Sequence, residues 1–395
     1  MRSTSCSSIA RDLLERCLAG RLPKEIPPAL LEEPCGRALF GILVEGLADR
    51  FEPPLCDAYV RLFSGAIAHV IRGIDPISLV ARYERIRHAR PIGARPRRVF
   101  VLSRITLGAD VAVTSVLIAA AKRRFPHAEI VFVAPPKNYE LFAADQRIRH
   151  APISYQRGGL AARLAVWEEL KTLLTGDDCL VLDPDSRLTQ LGLLAVCGDE
   201  RYHFFESRCY GADTSRSLSE LTAGWVAECL GVSGAKPYVA LGPTPQRGRY
   251  IAVSLGVGEN PVKRLADPFE EELFRLLASH GLPLCVDLGA GGEEADRVNR
   301  ALERSGAKAT LWNGSFAGFA SIIAGSRLYV GYDSAGQHVA HAAGVPLISI
   351  FAGFPVPRMF DRWRPAGPNS TVIRVDTPDS AQTLARVREA FEQVA

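Results

Sequence analysis

Within Tyr332-Asp333-Ser334-Ala335-Gly336-Gln337-His338 a carboxylate, a hydroxyl and an imidazole stand close together between two apolar runs, Leu328-Tyr329-Val330 and Val345 to Ile350. An apolar run ending in a polar turn, then reopening as the helix-like His338-Val339-Ala340-His341-Ala342-Ala343, reads as a buried parallel strand followed by a helix. Loops at the carboxyl ends of parallel strands are where open α/β sheets bind ligands. Free N–H groups at a helix N-terminus suit a diphosphate. Asp333, Ser334 and His338 could therefore grip sugar or ribose hydroxyls; equally, Asp333 and Ser334 could only cap the helix. His338 and His341 share a helix face and would suggest a metal, but no third ligand of suitable spacing is near, so none is expected.

Four other turns follow apolar runs in the same way. The first, Ser103 to Asp110, follows Val99-Phe100-Val101-Leu102. Asp110 could take a proton from an acceptor hydroxyl as a general base, or merely cap the helix expected over Val111 to Phe125. The second, Asp183-Pro184-Asp185-Ser186-Arg187, gathers two carboxylates and a guanidinium; Asp185 and Ser186 could cap a helix over 187–196, whereas Arg187 suits phosphate or a hydroxyl-rich acceptor. The third, Ser254 to Arg264, is glycine-rich and ends in Lys263-Arg264, a pair able to neutralise a diphosphate leaving group. It is neither a Walker A loop nor GxGxxG. In the fourth, Gly289-Ala290-Gly291-Gly292-Glu293-Glu294, the acidic pair could hold a ribose, or sit in the first turn of a helix because its dipole favours acids there.

These turns need a frame of alternating strands and helices. The pattern supplies one from Val99 to about 230 and a second from Tyr250 onward, with Gly231 to Arg249 as a hinge. Before them, Ile9, Leu13, Leu14, Cys17 and Leu18, then Leu39, Ile42, Leu43 and Leu47, repeat at helical spacing between proline breaks. The expectation is an α/β chain with a helical accessory domain and linker over 1–95, an acceptor domain over 96–240 and a donor domain over 241–395. A terminal helix capped by Thr377 and running to Val394 should close the last of these. The chain has 395 residues, enough for two or three cores.

Composition excludes several classes. Hydrophobic residues make up 47% and charged ones 23%, and no apolar run approaches the roughly 18 residues of a membrane span. No apolar core follows the N-terminus, so no secretory signal is expected. The nine cysteines are scattered without a CxxC pair, which argues against zinc or a disulfide framework and for a reducing cytosol. Net charge is only +4. The basic run Arg85 to Arg98 could lean on anionic lipid, but no aromatic residues interleave with it, so nucleic acid is not expected as a partner.

Taken together, these motifs resemble glycosyltransferase family 9, the ADP-heptose–lipopolysaccharide heptosyltransferases and their relatives. The stretches that carry the resemblance are Thr106-Leu107-Gly108-Ala109-Asp110-Val111 with Thr114 and Lys122 to Pro126, Leu182 to Arg187, Lys263-Arg264, and Asp333 to His338 with Ala342-Ala343-Gly344-Val345-Pro346. The resemblance spans about residues 98–376. It implies a GT-B fold of two Rossmann-like domains with the active site between them, and metal-independent transfer with inversion at the anomeric carbon. It further implies Asp110 as base and Lys263 and Arg264 on the departing diphosphate. Glu293 or Glu294 would reach the nucleoside, and Asp333, Ser334, Gly336 and His338 the donor. Asp183, Asp185 and Arg187 would face the acceptor. The donor would be a nucleotide-diphosphate sugar such as ADP-heptose. The acceptor would be a glycan, lipid-linked or protein hydroxyl, met in the cytoplasm or at the inner face of the membrane by peripheral association, as in lipopolysaccharide biosynthesis. A degenerate module that binds nucleotide sugar or glycan without turnover is the alternative. Ala109, Val116 and Ala335 stand where the family has glycine, proline and glycine.

Overall fold

The computed structural model describes residues 2–394 apart from Ala94, Asp177, residues 243–247, Glu259 and Ala290. Those parts of the linker within 1–95, the 231–249 hinge, the loop after Ser254 and the Gly289 turn lie outside the described residues. Among the described residues the strands form two all-parallel sheets. The first joins β1 (Arg98–Leu102), β2 (Glu129–Ala134), β3 (Ile148–Pro152), β4 (Cys179–Asp183) and β5 (Tyr202–Phe204) in the order β3-β2-β1-β4-β5. The second joins β6 (Ile251–Ser254), β7 (Leu284–Asp287), β8 (Ala309–Trp312), β9 (Leu328–Tyr332), β10 (Leu347–Phe351) and β11 (Ser370–Arg374) in the order β11-β10-β9-β6-β7-β8. The central strands are the continuous apolar runs, buried on both faces as parallel strands require. Strand order reverses between β1 and β4 and again between β6 and β9. Loops leaving adjacent strands at such a switch point diverge and leave a crevice.

The chain divides into two compact units, Met1–Thr106 with Leu117–Tyr139 and Arg147–Ala235, and Leu107–Val116 with Glu140–Gln146 and Lys236–Ala395. The expected separate 1–95 domain is therefore not found. Leu39, Leu43, Phe63 and Ile67 from the helical head are fully buried in one core with Phe100, Leu102 and Val131 of the first sheet. Each such side chain is worth about 1.5–3 kcal/mol when buried, so the head is part of the first unit. Its helices start where the sequence says they should. Pro53 stands in the first turn of Pro53–Val70, where no N–H is needed, and Asp75 caps Pro76–Ile86 by accepting from Ile77 and Ser78 N–H. The boundary near 240 moves as well, because the segments 107–116 and 140–146 cluster with the second sheet. Ala240 N–H donates to Leu141 and Ala144 N–H to Ala240.

Two readings of composition change. Cys6 and Cys35 are joined by a disulfide, with Cα atoms 5.5 Å apart, because the first helix packs on the turn Glu33–Cys35. The basic run is not a free cationic face. Arg85 pairs with Asp199, Arg87 with Glu206, Asp57 and Glu84, and Arg98 with Glu129, while Arg90 donates to the Asp199 and Tyr202 carbonyls. Two helix readings fail locally. The stretch 187–196 is a single 3-10 turn, Arg187–Thr189, followed by left-handed Gln190, Leu191 and Gly192. The terminal helix, Ser380–Val394, is capped by Asp379, which accepts from Gln382 N–H, and not by Thr377.

Candidate active site

At the switch point of the second sheet the loops after β6 and β9 emerge side by side, and this brings Lys263 to Asp333. Asn260 accepts from Val262 N–H and starts the turn Pro261–Lys263. Lys263 Nζ then reaches Asp333 Oδ2 at 2.5 Å and the Asp333 carbonyl at 3.2 Å. The other carboxylate oxygen accepts from Gln337 Nε2. Gln337 is held in turn by Ser349 of β10, whose hydroxyl donates to Oε1 at 2.6 Å. Capping is not what Asp333 and Ser334 do: Ser334 occupies the N-cap position of the helix Ala335–Ala342 without a side-chain bond to it. His338 is buried beside this pair, edge-on to Trp363 at 5.9 Å. Burial pushes its pKa down to about 4; the attraction of Asp333 opposes this, and His341 and Lys263 assist it. The ring is therefore neutral at pH 7.

Gly336 belongs to this site through packing. A methyl group there would overlap the Tyr329 phenol oxygen, and Tyr329 is fully buried. The missing Cβ makes room for a protein side chain, so a close phosphate is not needed to explain the glycine. Of the two acidic residues after the Gly289 turn, Glu293 is exposed. Glu294 faces inward, pairing with Arg264 at 3.6 Å, with its carboxylate against Gly256 and Gly289. It is the one placed at the loops expected to hold a nucleoside. His341 Nδ1 lies 3.3 Å from Ser370 Oγ, and among the described residues no His, Cys, Asp and Glu cluster of metal-binding size occurs.

Asp110 does not cap its helix. The helix begins at Leu107, widens into a π turn over Asp110–Thr114 and continues as Ser115–Arg124. Such π bulges are frequent at functional sites. Asp110 is fully buried and accepts from Thr114 Oγ1 at 2.7 Å. Its segment packs on the helix Ala335–Ala342 of the same unit. A methyl group on Gly108 would lie 3.0 Å from His338 Cδ2 and 3.2 Å from Ala335 Cα. Glycine is thus needed at 108. At 109, where the family has glycine, the backbone is right-handed helical (φ −69°) and alanine fits.

In the first unit the turn after β4 is equally polar but satisfied from within. Asp183 is fully buried and accepts from Thr189 Oγ1 (2.6 Å), Tyr202 OH (2.5 Å) and Ser186 N–H (2.7 Å). Asp185, left-handed at φ +71°, binds Arg208 and accepts from Ser207 Oγ. Ser186 Oγ donates to the Ser103 carbonyl, and Arg104 to the Pro184 carbonyl, tying the loops after β1 and β4 together. Asp183 and Asp185 are thus loop-building residues. Arg187 differs, because among the described residues its buried Nη1 finds no hydrogen-bond partner. Sequence reasoning missed Gln337 and Ser349. Nothing in their types or spacing marks them, since their contact depends on how the helix Ala335–Ala342 packs against β10.

Residues 247–390 match the family model of glycosyltransferase family 9 (heptosyltransferase). No curated protein matches the chain in sequence. Among solved structures, the Escherichia coli heptosyltransferase WaaC with ADP has 20% identity and a TM-score of 0.56, covering 75% of this chain and all of that one. A family 9 glycosyltransferase from Veillonella parvula has 15% identity and a TM-score of 0.57, over 77% and 99% of the two chains. The E. coli ADP-heptose lipopolysaccharide heptosyltransferase II has 18% identity and a TM-score of 0.53, over 75% and 98%. The chain thus has the GT-B fold of two Rossmann-like parallel sheets, and its residues 247–390 are similar to glycosyltransferase family 9 (heptosyltransferase).

Proposed function

We propose that the chain is an inverting, metal-independent glycosyltransferase that moves a heptose-like sugar from a nucleotide-diphosphate sugar to a hydroxyl acceptor. The observation that carries this reading is the Lys263–Asp333 pair beside neutral His338, at a sheet switch point inside the family-matched segment. Asp110 takes the proton of the acceptor hydroxyl. The acceptor oxygen bonds to the anomeric carbon from the face opposite the diphosphate, and the bond to the diphosphate oxygen breaks. Lys263, Arg264 and the N–H groups opening the helix Ala335–Ala342 stabilise the charge that departs. Asp333, Ser334 and His338 hold sugar and diphosphate, and Glu294 the nucleoside. Arg187 is the acceptor-side residue with a donor to spare. ADP-heptose is the first donor to test, since the WaaC structure is described with ADP. Lipid-linked acceptors would bring the protein to the inner face of the membrane, without a span: no described helix is long and apolar enough to cross one.

The test is transfer from ADP-heptose to a glycan acceptor in excess EDTA. Asp110→Asn keeps shape and the Thr114 bond but removes the base; it should bind ADP as the wild type does and transfer about 10²-fold more slowly or less. Wild-type transfer by that variant would move the base elsewhere. Loss of all activity in EDTA, restored by Mg²⁺, would overturn metal independence. ADP binding without transfer or donor hydrolysis would leave a binding module.

A further inference from the structure

Gln337 is fully buried, and its amide sits between the two side chains expected to hold the donor. Its orientation follows from chemistry. An ionised carboxylate can only accept, so the amide nitrogen must face Asp333 Oδ1, and the amide oxygen then receives the Ser349 hydroxyl. An NH₂ group carries two hydrogens. With one on Asp333, the other faces His338 Nε2, 3.4 Å from the amide nitrogen, with the Trp363 carbonyl 3.5 Å from it. An N–H pointed at a ring nitrogen requires that nitrogen to be unprotonated. We propose that Gln337 is a positioning residue of the donor site: one N–H fixes the Asp333 carboxylate, and the other confines neutral His338 to the tautomer with its proton on Nδ1.

The role rests on the proposed function for its consequence, but its geometry does not. His338 is neutral at pH 7 because burial outweighs the pull of Asp333. The choice of tautomer is therefore the one protonic freedom left to it. Ser349 of β10 anchors the amide from behind, so Asp333 and His338, five residues apart in the chain, are set by one group that bonds to both. An apolar residue at 337 would leave Asp333 with Lys263 alone and the imidazole free to take either form.

The experiment uses full-length, ligand-free protein with ¹⁵N-labelled histidine. Long-range proton–nitrogen spectra at pH 7.5 assign the His338 tautomer by comparison with His338→Gln. Wild type should show Nδ1–H alone. Gln337→Glu keeps the length and the Ser349 bond but offers His338 an acceptor, so the proton should move to Nε2. Its ADP affinity, by calorimetry, should fall about tenfold, the loss of one hydrogen bond to a charged group. Should that variant not fold, Gln337→Met, which removes the donors without adding charge, should give a mixture of tautomers. An Nε2–H tautomer in wild type, or an unchanged Nδ1–H tautomer in a folded variant, overturns the proposal. Wild type that shows the tautomer shift on substitution but binds no ADP would instead sink the donor reading and leave the positioning role standing.

Discussion

The turn after β4 and the turn after β9 occupy equivalent places in their own sheets. Each follows the strand across the switch point from the first strand of its unit, and each opens with an aspartate and reaches a serine within a few residues. Their partners differ. Asp183 accepts three hydrogen bonds, all from neutral groups of its own unit, two of them within the same loop. Asp333 accepts from an amide and from the ammonium of Lys263, which arrives on a different loop. Neutral donors that saturate a buried carboxylate fix a loop. A cation on a separate loop is a charge that a diphosphate can recruit. The same residue grammar therefore serves construction in one unit and, under the proposed function, ligand capture in the other.

Removing each carboxylate is the strongest way to break that comparison. Asp183→Ala strands two hydroxyls and an N–H in a fully buried place, which should cost about 3–5 kcal/mol of stability. A clear fall in the melting temperature is expected, with ADP binding intact in whatever remains folded. Asp333→Ala, which under the proposed function touches the donor sugar, should lose less stability and weaken binding of the intact nucleotide sugar instead. Equal thermal losses with equal effects on the binding of the intact nucleotide sugar would erase the distinction.

The pH dependence of stability sharpens it. Burial pushes Asp183 up to about 6 from 3.8, against the pull of Thr189, Tyr202 and the Ser186 N–H. A raised folded-state pKa favours the protonated folded form, so its contribution is complete below pH 3.8 and fades as pH rises through 6. His338 runs the other way. Its pKa falls from 6.5 to about 4, so its contribution is present above pH 6.5 and is lost as pH drops toward 4. Subtracting the stability of Asp183→Asn from that of wild type cancels His338. The difference should fall by about 2 kcal/mol between pH 4.5 and 6.5 in urea titrations. A flat difference would mean that Asp183 is not buried as described.

What the sequence made legible follows from burial. β1, β4, β9 and β10 are built on continuous apolar runs and announce themselves, and with them came the turns at their ends. β8, whose Thr310 and Leu311 are exposed, β11 and the three-residue β5 are short edge strands without that signal. The false helix over 187–196 came from its leucines. The Asp183 carboxylate, holding Ser186 N–H and Thr189, draws the backbone into turns instead. Asp110, Lys263, Asp333 and His338 could be named because their types carry chemistry. Gln337 and Ser349 could not, because their meaning lies in a contact between a helix and a neighbouring strand.

The smallest expected effect separates the two members of the ion pair. Lys263 is committed to Asp333, with side-chain exposures of 17% and 6%, so under the proposed function ADP competes with Asp333 for the ammonium. Lys263→Ala removes the charge proposed to meet the diphosphate and should weaken ADP binding about tenfold. It also leaves Asp333 with Gln337 as its remaining protein donor, so a modest thermal loss should accompany it. Asp333→Asn acts oppositely. It keeps the shape, frees the ammonium from its internal carboxylate and removes a negative charge from beside the diphosphate. Bare ADP should then bind as well as to wild type or more tightly, while an intact nucleotide sugar, which needs Asp333 for its hydroxyls, should bind more weakly. Calorimetry with ADP and with ADP-heptose on both variants reads the two arms. If Asp333→Asn weakens both ligands alike, Asp333 acts only by orienting Lys263, and the assignment of Asp333 to the sugar fails.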